Sequence, residues 1–163
     1  MSKNYFIKER LLAFGAKFDV YDENRNEAFL VEADKFDIGK NINIYTPDKT
    51  SKLMYFRQQL RIGAHKYKVY DSNGMEIETI EKEFMVPRYN ISGSLGRFVM
   101  SCDSAILGRN YTVEKDGFKI GEINKEWTFG RDRYTLKVID EDYTVFLVGL
   151  LIMVDMVRFH SDN

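Results

Sequence analysis

Apolar and polar positions along this chain repeat one short phrase six times: "FGAKFDV" from Phe14, "IGKNINI" from Ile38, "IGAHKYKV" from Ile62, "VPRYNI" from Val86, "LGRNYTV" from Leu107 and "FGRDRYTL" from Phe129. Its form is an apolar residue, Gly or Pro, a short polar stretch, then an aromatic or Ile, any residue, and an aliphatic. The punctuating residues Gly15, Gly39, Gly63, Pro87, Gly108 and Gly130 are spaced by 24, 24, 24, 21 and 22 positions. Internal repetition at such a period signals a repeated supersecondary unit. The aromatic-x-aliphatic half has period two, which puts both apolar side chains on one face of a strand.

Turn chemistry follows most copies: "DENRN" at 22, "TPDK" at 46, "DSNG" at 71, "SGSLG" at 92 and "KDG" at 115. A second β-rich run then returns, as in "AFLVEA", "KLMYF", "EIETIEKEF", "RFVMS" and "KIGEINKEW". Each period therefore reads as a β-hairpin. Six forward strands, five returns and an opening strand near Tyr5 to Arg10 predict twelve strands, and short connections require antiparallel up-and-down order. Glycine at a fixed phase of such a repeat suggests a bulge or bend where the sheet curls closed. A phosphate loop is the poorer reading of "GRN" and "GRD", because no helix follows to present its N-terminus.

The pattern stops at "YTVFLVGLLIMVDMV", residues 143–157, whose first twelve residues carry no charge although 30% of the chain is charged. As one strand, twelve residues would extend roughly 40 Å, about twice the usual length. As a membrane helix the segment would cover about 22 Å of a hydrocarbon core of about 30 Å. Asp155 and Arg158 close the run too early to span. A helix apolar on all sides must be buried on all sides, and "DED" at 140–142 suits its N-terminus. Twelve strands about 4.8 Å apart and tilted about 40° close into a barrel roughly 24 Å across, too wide for its own side chains to fill. A helix about 10 Å in diameter fits that space. The predicted fold is mainly β (α+β): a twelve-stranded antiparallel closed barrel of repeated hairpins enclosing a hydrophobic C-terminal helix, one domain over residues 1–163.

Composition narrows the function classes. Lys+Arg number 24 against 25 Asp+Glu, a net charge of −1, without the concentrated basic charge typical of nucleic-acid binding. Nucleic acid is not an expected partner. The N-terminus "MSKNYFIKER" turns charged again before an apolar stretch of signal-peptide length develops. Cys102 is the single cysteine, and one cysteine makes neither an internal disulfide nor a metal cluster, which fits a reducing compartment. The expected protein is cytoplasmic, able to sit at a membrane surface, and not transmembrane.

Motifs for chemistry are sparse. "DENRN" opens like a calcium loop, with Asp22, Asn24 and Asn26 at alternate positions, but Glu27 stands where glycine is needed and Ala33 where the bidentate glutamate is needed. A plain turn is the reading. His65, His160 and Cys102 make no nucleophile-base pair at recognisable spacing. Asp155 reads as a mouth residue paired with Arg158 or a barrel cation, and Trp127 as a core or rim aromatic. No catalytic residue, metal ligand or cofactor is expected.

The N-terminal "YFIKERLLAFGAKFDVYDENRNEAFLVEA", the "KYKVYDSNG" hairpin, "KEWTFG" at 125–130 and the terminal "VFLVGLLIMVDMV" together resemble the LURP-one-related family of the tubby C-terminal-like superfamily, which includes phospholipid scramblases. The resemblance spans essentially the whole chain, looks closest to small bacterial members, and implies a twelve-stranded barrel around a central helix. Tubby-type domains bind phosphoinositide headgroups, and scramblases respond to calcium and carry lipidated cysteines. This chain has no cysteine cluster and no stretch matching a scramblase calcium site, so no family site residue transfers to it.

One surface stands out. Arg57 and Arg61 share one parity, and Lys66 and Lys68 face opposite to Tyr67 and Val69, so all four are expected to point outward from adjacent strands. They form a candidate binding site for a phospholipid headgroup or another anion. Glu76, Glu78, Glu81 and Glu83 on the following strand offer ordinary cross-strand pairing instead. The expected function is a non-enzymatic barrel that binds an anionic phospholipid surface or a protein partner on its exterior. A carrier of a small apolar ligand and an enzyme with a site at the rim are the alternatives.

Overall fold

The computed structural model describes the backbone of residues 2–13, 15–34, 41–59, 66–83, 85–103, 110–128 and 131–161, and the side chains within these except at 11, 126–128, 131–133 and 157–161. Its strands are β1 (Lys3–Leu12), β2 (Gly15–Tyr21), β3 (Glu27–Ala33), β4 (Asn41–Tyr45), β5 (Lys52–Gln59), β6 (Lys66–Asp71), β7 (Glu76–Lys82), β8 (Arg88–Gly93), β9 (Gly96–Cys102), β10 (Asn110–Lys115), β11 (Phe118–Thr128) and β12 (Arg131–Val138). Strands adjacent in sequence pair antiparallel, and β1 closes the ring against β12 with Tyr5 opposite Leu136. A 3₁₀ turn at Glu141–Tyr143 leads into α1 (Thr144–Ser161). The repeated hairpins, the closed barrel and the C-terminal helix are all as expected.

Strand alternation builds the inner wall. Phe18 and Val20, Ile42 and Ile44, Tyr67 and Val69, Tyr89 and Ile91, Tyr111 and Val113, and Tyr134 and Leu136 all lie buried. These are the aromatic-x-aliphatic pairs of the repeat, one pair from each even-numbered strand. They belong to one core with α1, in which Phe146, Leu147, Val148 and every residue from Leu150 to Val154 are withdrawn from water. The helix has no solvent face over this stretch, because the barrel surrounds it. Phe146 lies between Phe98 of β9, at 5.0 Å between ring centroids, and Phe56 of β5, at 6.1 Å. Gly149 is required by close approach: a Cβ there would sit 2.3 Å from the Phe56 ring. The acidic run before the helix acts locally, with the Asp140 carboxylate accepting from the Asp142 N–H at 3.1 Å.

Tight turns gather at one end of the barrel, where each even-numbered strand finishes. Asp22 Oδ1 accepts from the N–H groups of Asn24 and Asn26, both at 2.9 Å, and Asp71 Oδ1 does the same for Asn73 and Met75, again at 2.9 Å. "DENRN" is thus an Asx-type turn. Positive φ falls in four of these turns, at Arg25, at Lys49, at Gly74 and at the pair Asp116 and Gly117. Next to each, the ladder slips by a residue, between Val20/Tyr21, Ile44/Tyr45, Val69/Tyr70 and Val113/Glu114. These bulges correct the expectation for the repeat glycines. The described irregularities lie beside the turn residues at the far end of each strand, since a left-handed residue next to a hairpin turn generates a bulge. Gly15 opens β2, where a Cβ would meet the Ala33 carbonyl oxygen at 2.7 Å. Gly39, Gly63, Gly108 and Gly130 lie outside the described residues.

Candidate functional site

The outer faces of β4, β5 and β6 carry the candidate site. Along β5, Phe56 points into the core, so Tyr55 and Arg57 point out. On β6, Tyr67 and Val69 point in and Lys66, Lys68 and Tyr70 point out. The register sets Arg57 directly opposite Lys68 and Asn41, Tyr55 opposite Tyr70, and Lys66 opposite Gln59. Three of the four predicted cations therefore share one face, and two are immediate neighbours. Arg61 lies outside the described residues.

Their counter-charges differ. Lys66 reaches Glu81 at 3.0 Å and Lys68 reaches Glu76 at 3.1 Å, both across the β6–β7 ladder. Glu83 takes the Asn90 amide at 2.9 Å and lies 4.0 Å from Arg88. Arg57, exposed, makes no ion pair among the described residues. The cross-strand pairing expected for the lysines is present, and it leaves the arginine uncompensated.

An aromatic margin adjoins this cation and is absent from the four-cation reading of the sequence. Lys52 Nζ stands 5.2 Å from the centre of the Tyr55 ring and 5.8 Å from that of Tyr45. The Tyr55 and Tyr70 rings are 5.7 Å apart, and the Tyr55 hydroxyl donates to Asn41 Oδ1 at 2.8 Å. Desolvation pushes the Tyr55 hydroxyl above its ordinary pKa, against the pull of Arg57. Lys49 also lies near Tyr45, at 5.4 Å, while bonding Glu32 at 2.7 Å, so it is the neutralised member of the group. The signal that finds this margin is parity: Tyr45 and Tyr70 each follow an inward aliphatic by one residue, which sends them outward.

Glu78 corrects the reading of its strand. It shares parity with inward Ile80, so it is buried at 1% exposure instead of facing the cations. Its Oε1 accepts from the Gly96 N–H at 2.9 Å, and its Oε2 has no hydrogen-bond partner. Burial drives its pKa up to about 7 against the opposing effect of the Gly96 and Leu95 amides.

The remaining candidates stay dispersed. Cys102 is half-buried at the end of β9, with Sγ 3.9 Å from Asp103 Oδ1. Asp155 is half-buried and engaged, and the side chain of Arg158 lies outside the described residues, as do those of Trp127 and His160 and the whole of His65. Among the described residues no group of three His, Cys, Asp or Glu side chains converges as a metal site, and no helix is long and apolar enough to cross a membrane.

The family model for LURP-one-related proteins matches residues 3–155. The chain belongs to the LURP-one-related family. This LURP-one-related chain is 24% identical over 160 residues to the uncharacterized protein YxjI of Bacillus subtilis (strain 168), covering 97% of this chain and 95% of that one. A solved X-ray structure of an Arabidopsis thaliana protein superposes with a TM-score of 0.68 at 14% identity, over 96% of this chain and 91% of that one. At that identity the likeness speaks for the barrel alone.

Proposed function

We propose that this LURP-one-related barrel is a non-enzymatic binding protein that meets an anionic phospholipid surface with the outer face of β4–β6. The observation that carries the reading is the β5 strip of Lys52, Tyr55 and Arg57, whose two cations have no acidic partner among the described residues while their neighbours Lys49, Lys66 and Lys68 do. Arginine and lysine beside tyrosine suit a headgroup layer, where the cation meets phosphate and the ring sits at the apolar boundary. α1 occupies the centre of the barrel, which turns the search for a ligand to the exterior and weighs against the apolar-carrier reading.

Co-sedimentation with vesicles tests this. At low salt the wild-type chain is expected to pellet with phosphatidylserine-containing vesicles and to stay in solution with pure phosphatidylcholine. Removing two surface cations should cost about 2 kcal/mol, roughly 30-fold in affinity, in the double substitution Lys52→Gln and Arg57→Gln. Absence of binding to the anionic vesicles at low salt would refute the membrane reading and leave an acidic protein partner as its successor.

A further inference from the structure

Glu78 is the one buried charged side chain among the described residues, and the binding face leaves it unused. It lies beneath the β8–β9 turn. Ser94 N and Leu95 N both point at the Ile77 carbonyl, at 2.8 and 3.4 Å, and the Ser94 hydroxyl bonds the same oxygen at 3.3 Å. Gly96 N then bonds Glu78 Oε1 at 2.9 Å. Two glycines let the turn fold down onto β7. A Cβ at Gly93 would sit 2.1 Å from the Ile77 oxygen, and Gly96 has φ of +139° with the Lys115 side chain laid against it. Leu95 thereby packs against the core, beside the mouth where Phe98 meets Tyr143 at 5.3 Å between rings. The turn that closes this part of the barrel mouth is thus tied down at two points, residues 94 and 95 on the Ile77 carbonyl and Gly96 on one oxygen of the buried carboxyl.

We propose that Glu78 is a proton-operated latch: neutral, it keeps residues 94–96 folded over the mouth of the barrel, and ionised, it draws in water and lets the turn lift. A carboxylate has about four acceptor sites, and this one is offered one or two N–H donors and no cation. The surroundings are apolar or hold their charge elsewhere. Val69 faces it from β6 and Gly93 from β8. Tyr67 on β6 is neutral, with its hydroxyl pushed up to about 12 by burial. Lys115 of β10 turns its ammonium to the Tyr143 ring, at 5.2 Å, and its hydrogen bond to Tyr143 raises its pKa. Asp116, Asp140, Glu141 and Asp142 belong to the turns at the same end. In the closed turn the carboxyl prefers its proton up to about pH 7, whereas a solvated glutamate loses it above about pH 4.3. Opening therefore becomes easier as pH rises through that interval and levels off above it.

Amide hydrogen exchange between about pH 5 and pH 8, corrected for the intrinsic base dependence, tests the latch. Protection at Leu95 and Gly96 is expected to fall by at least about ten-fold from pH 5 to pH 7, one pH unit of linkage, and then to level off. Protection at Leu136 in β12 should move much less, which separates a local lift from general loss of stability. Glu78→Gln is expected to abolish the fall. Should the variant not fold, the ¹³C shift of the Glu78 carboxyl decides in the wild type, with a midpoint near 7 supporting the latch. Equal protection at pH 5 and pH 8 in the wild type, an unchanged fall in Glu78→Gln, or a carboxyl midpoint near 4 would overturn it.

Discussion

A chain ending at Glu141 is expected to show no cooperative unfolding transition in urea or on heating. Truncation removes Phe146, Leu147, Val148, Leu150, Leu151, Ile152, Met153, Val154 and Met156, all buried. At about 1.5–3 kcal/mol for each large side chain, their burial contributes on the order of 20 kcal/mol as an upper estimate. Native stabilities run about 5–15 kcal/mol, so the loss exceeds the margin. It also uncovers the inner wall, including Phe18, Ile42, Ile44, Phe56 and Ile123, and a barrel of this width has nothing else to put there. Circular dichroism and a urea titration beside the full chain supply the measurement.

Phe146→Ala is the largest single-residue effect expected. The ring is 1% exposed and held between Phe98 and Phe56. Removing a buried phenyl group costs about 3–5 kcal/mol when the walls cannot collapse, and here both neighbours are fixed on strands of a closed barrel. For a chain of this size that loss lowers the melting temperature by roughly 10 °C. A shift of a degree or two would mean that the helix is loosely held.

Much of the fold is legible in the residues because period-two alternation and turn chemistry agree from hairpin to hairpin. Phe18 and Val20 lie on one face of their strand whatever the surrounding topology, and "DSNG" carries its own turn chemistry. The helix is legible for a different reason: an uncharged run this long needs a surrounding, and a twelve-stranded ring needs a filling. The bulges are less visible, since a slipped ladder depends on φ at residues such as Arg25 and Lys49, which no local composition demands.

The candidate site is legible only in part. Parity along β5 and β6 is enough to place Arg57, Lys66 and Lys68 outside, but which of them keeps an acid depends on reach across the ladder. Lys68 meets Glu76 only because the Val69/Tyr70 bulge shifts the pairing. Glu78 escapes for a simpler reason. Four glutamates close in sequence look like one set, although Glu78 shares the parity of Ile80 and Glu81 does not. The tyrosine margin hides in the same way, because the repeat sends most of its aromatic residues to the core, and only individual parity separates Tyr45 and Tyr70 from them.

Nuclear Overhauser contacts at Gly149 test most directly that the barrel is wound around its own tail. In the native protein the Gly149 α-protons should give strong cross-peaks to the Phe56 ring, because a Cβ in their place would lie 2.3 Å from it. A spectrum with those cross-peaks places the apolar segment at the centre of the barrel. Their absence in a folded sample, with solvent-exchanging amides from Phe146 to Val154, would place it elsewhere and contradict the architecture on which the binding face and the latch both stand.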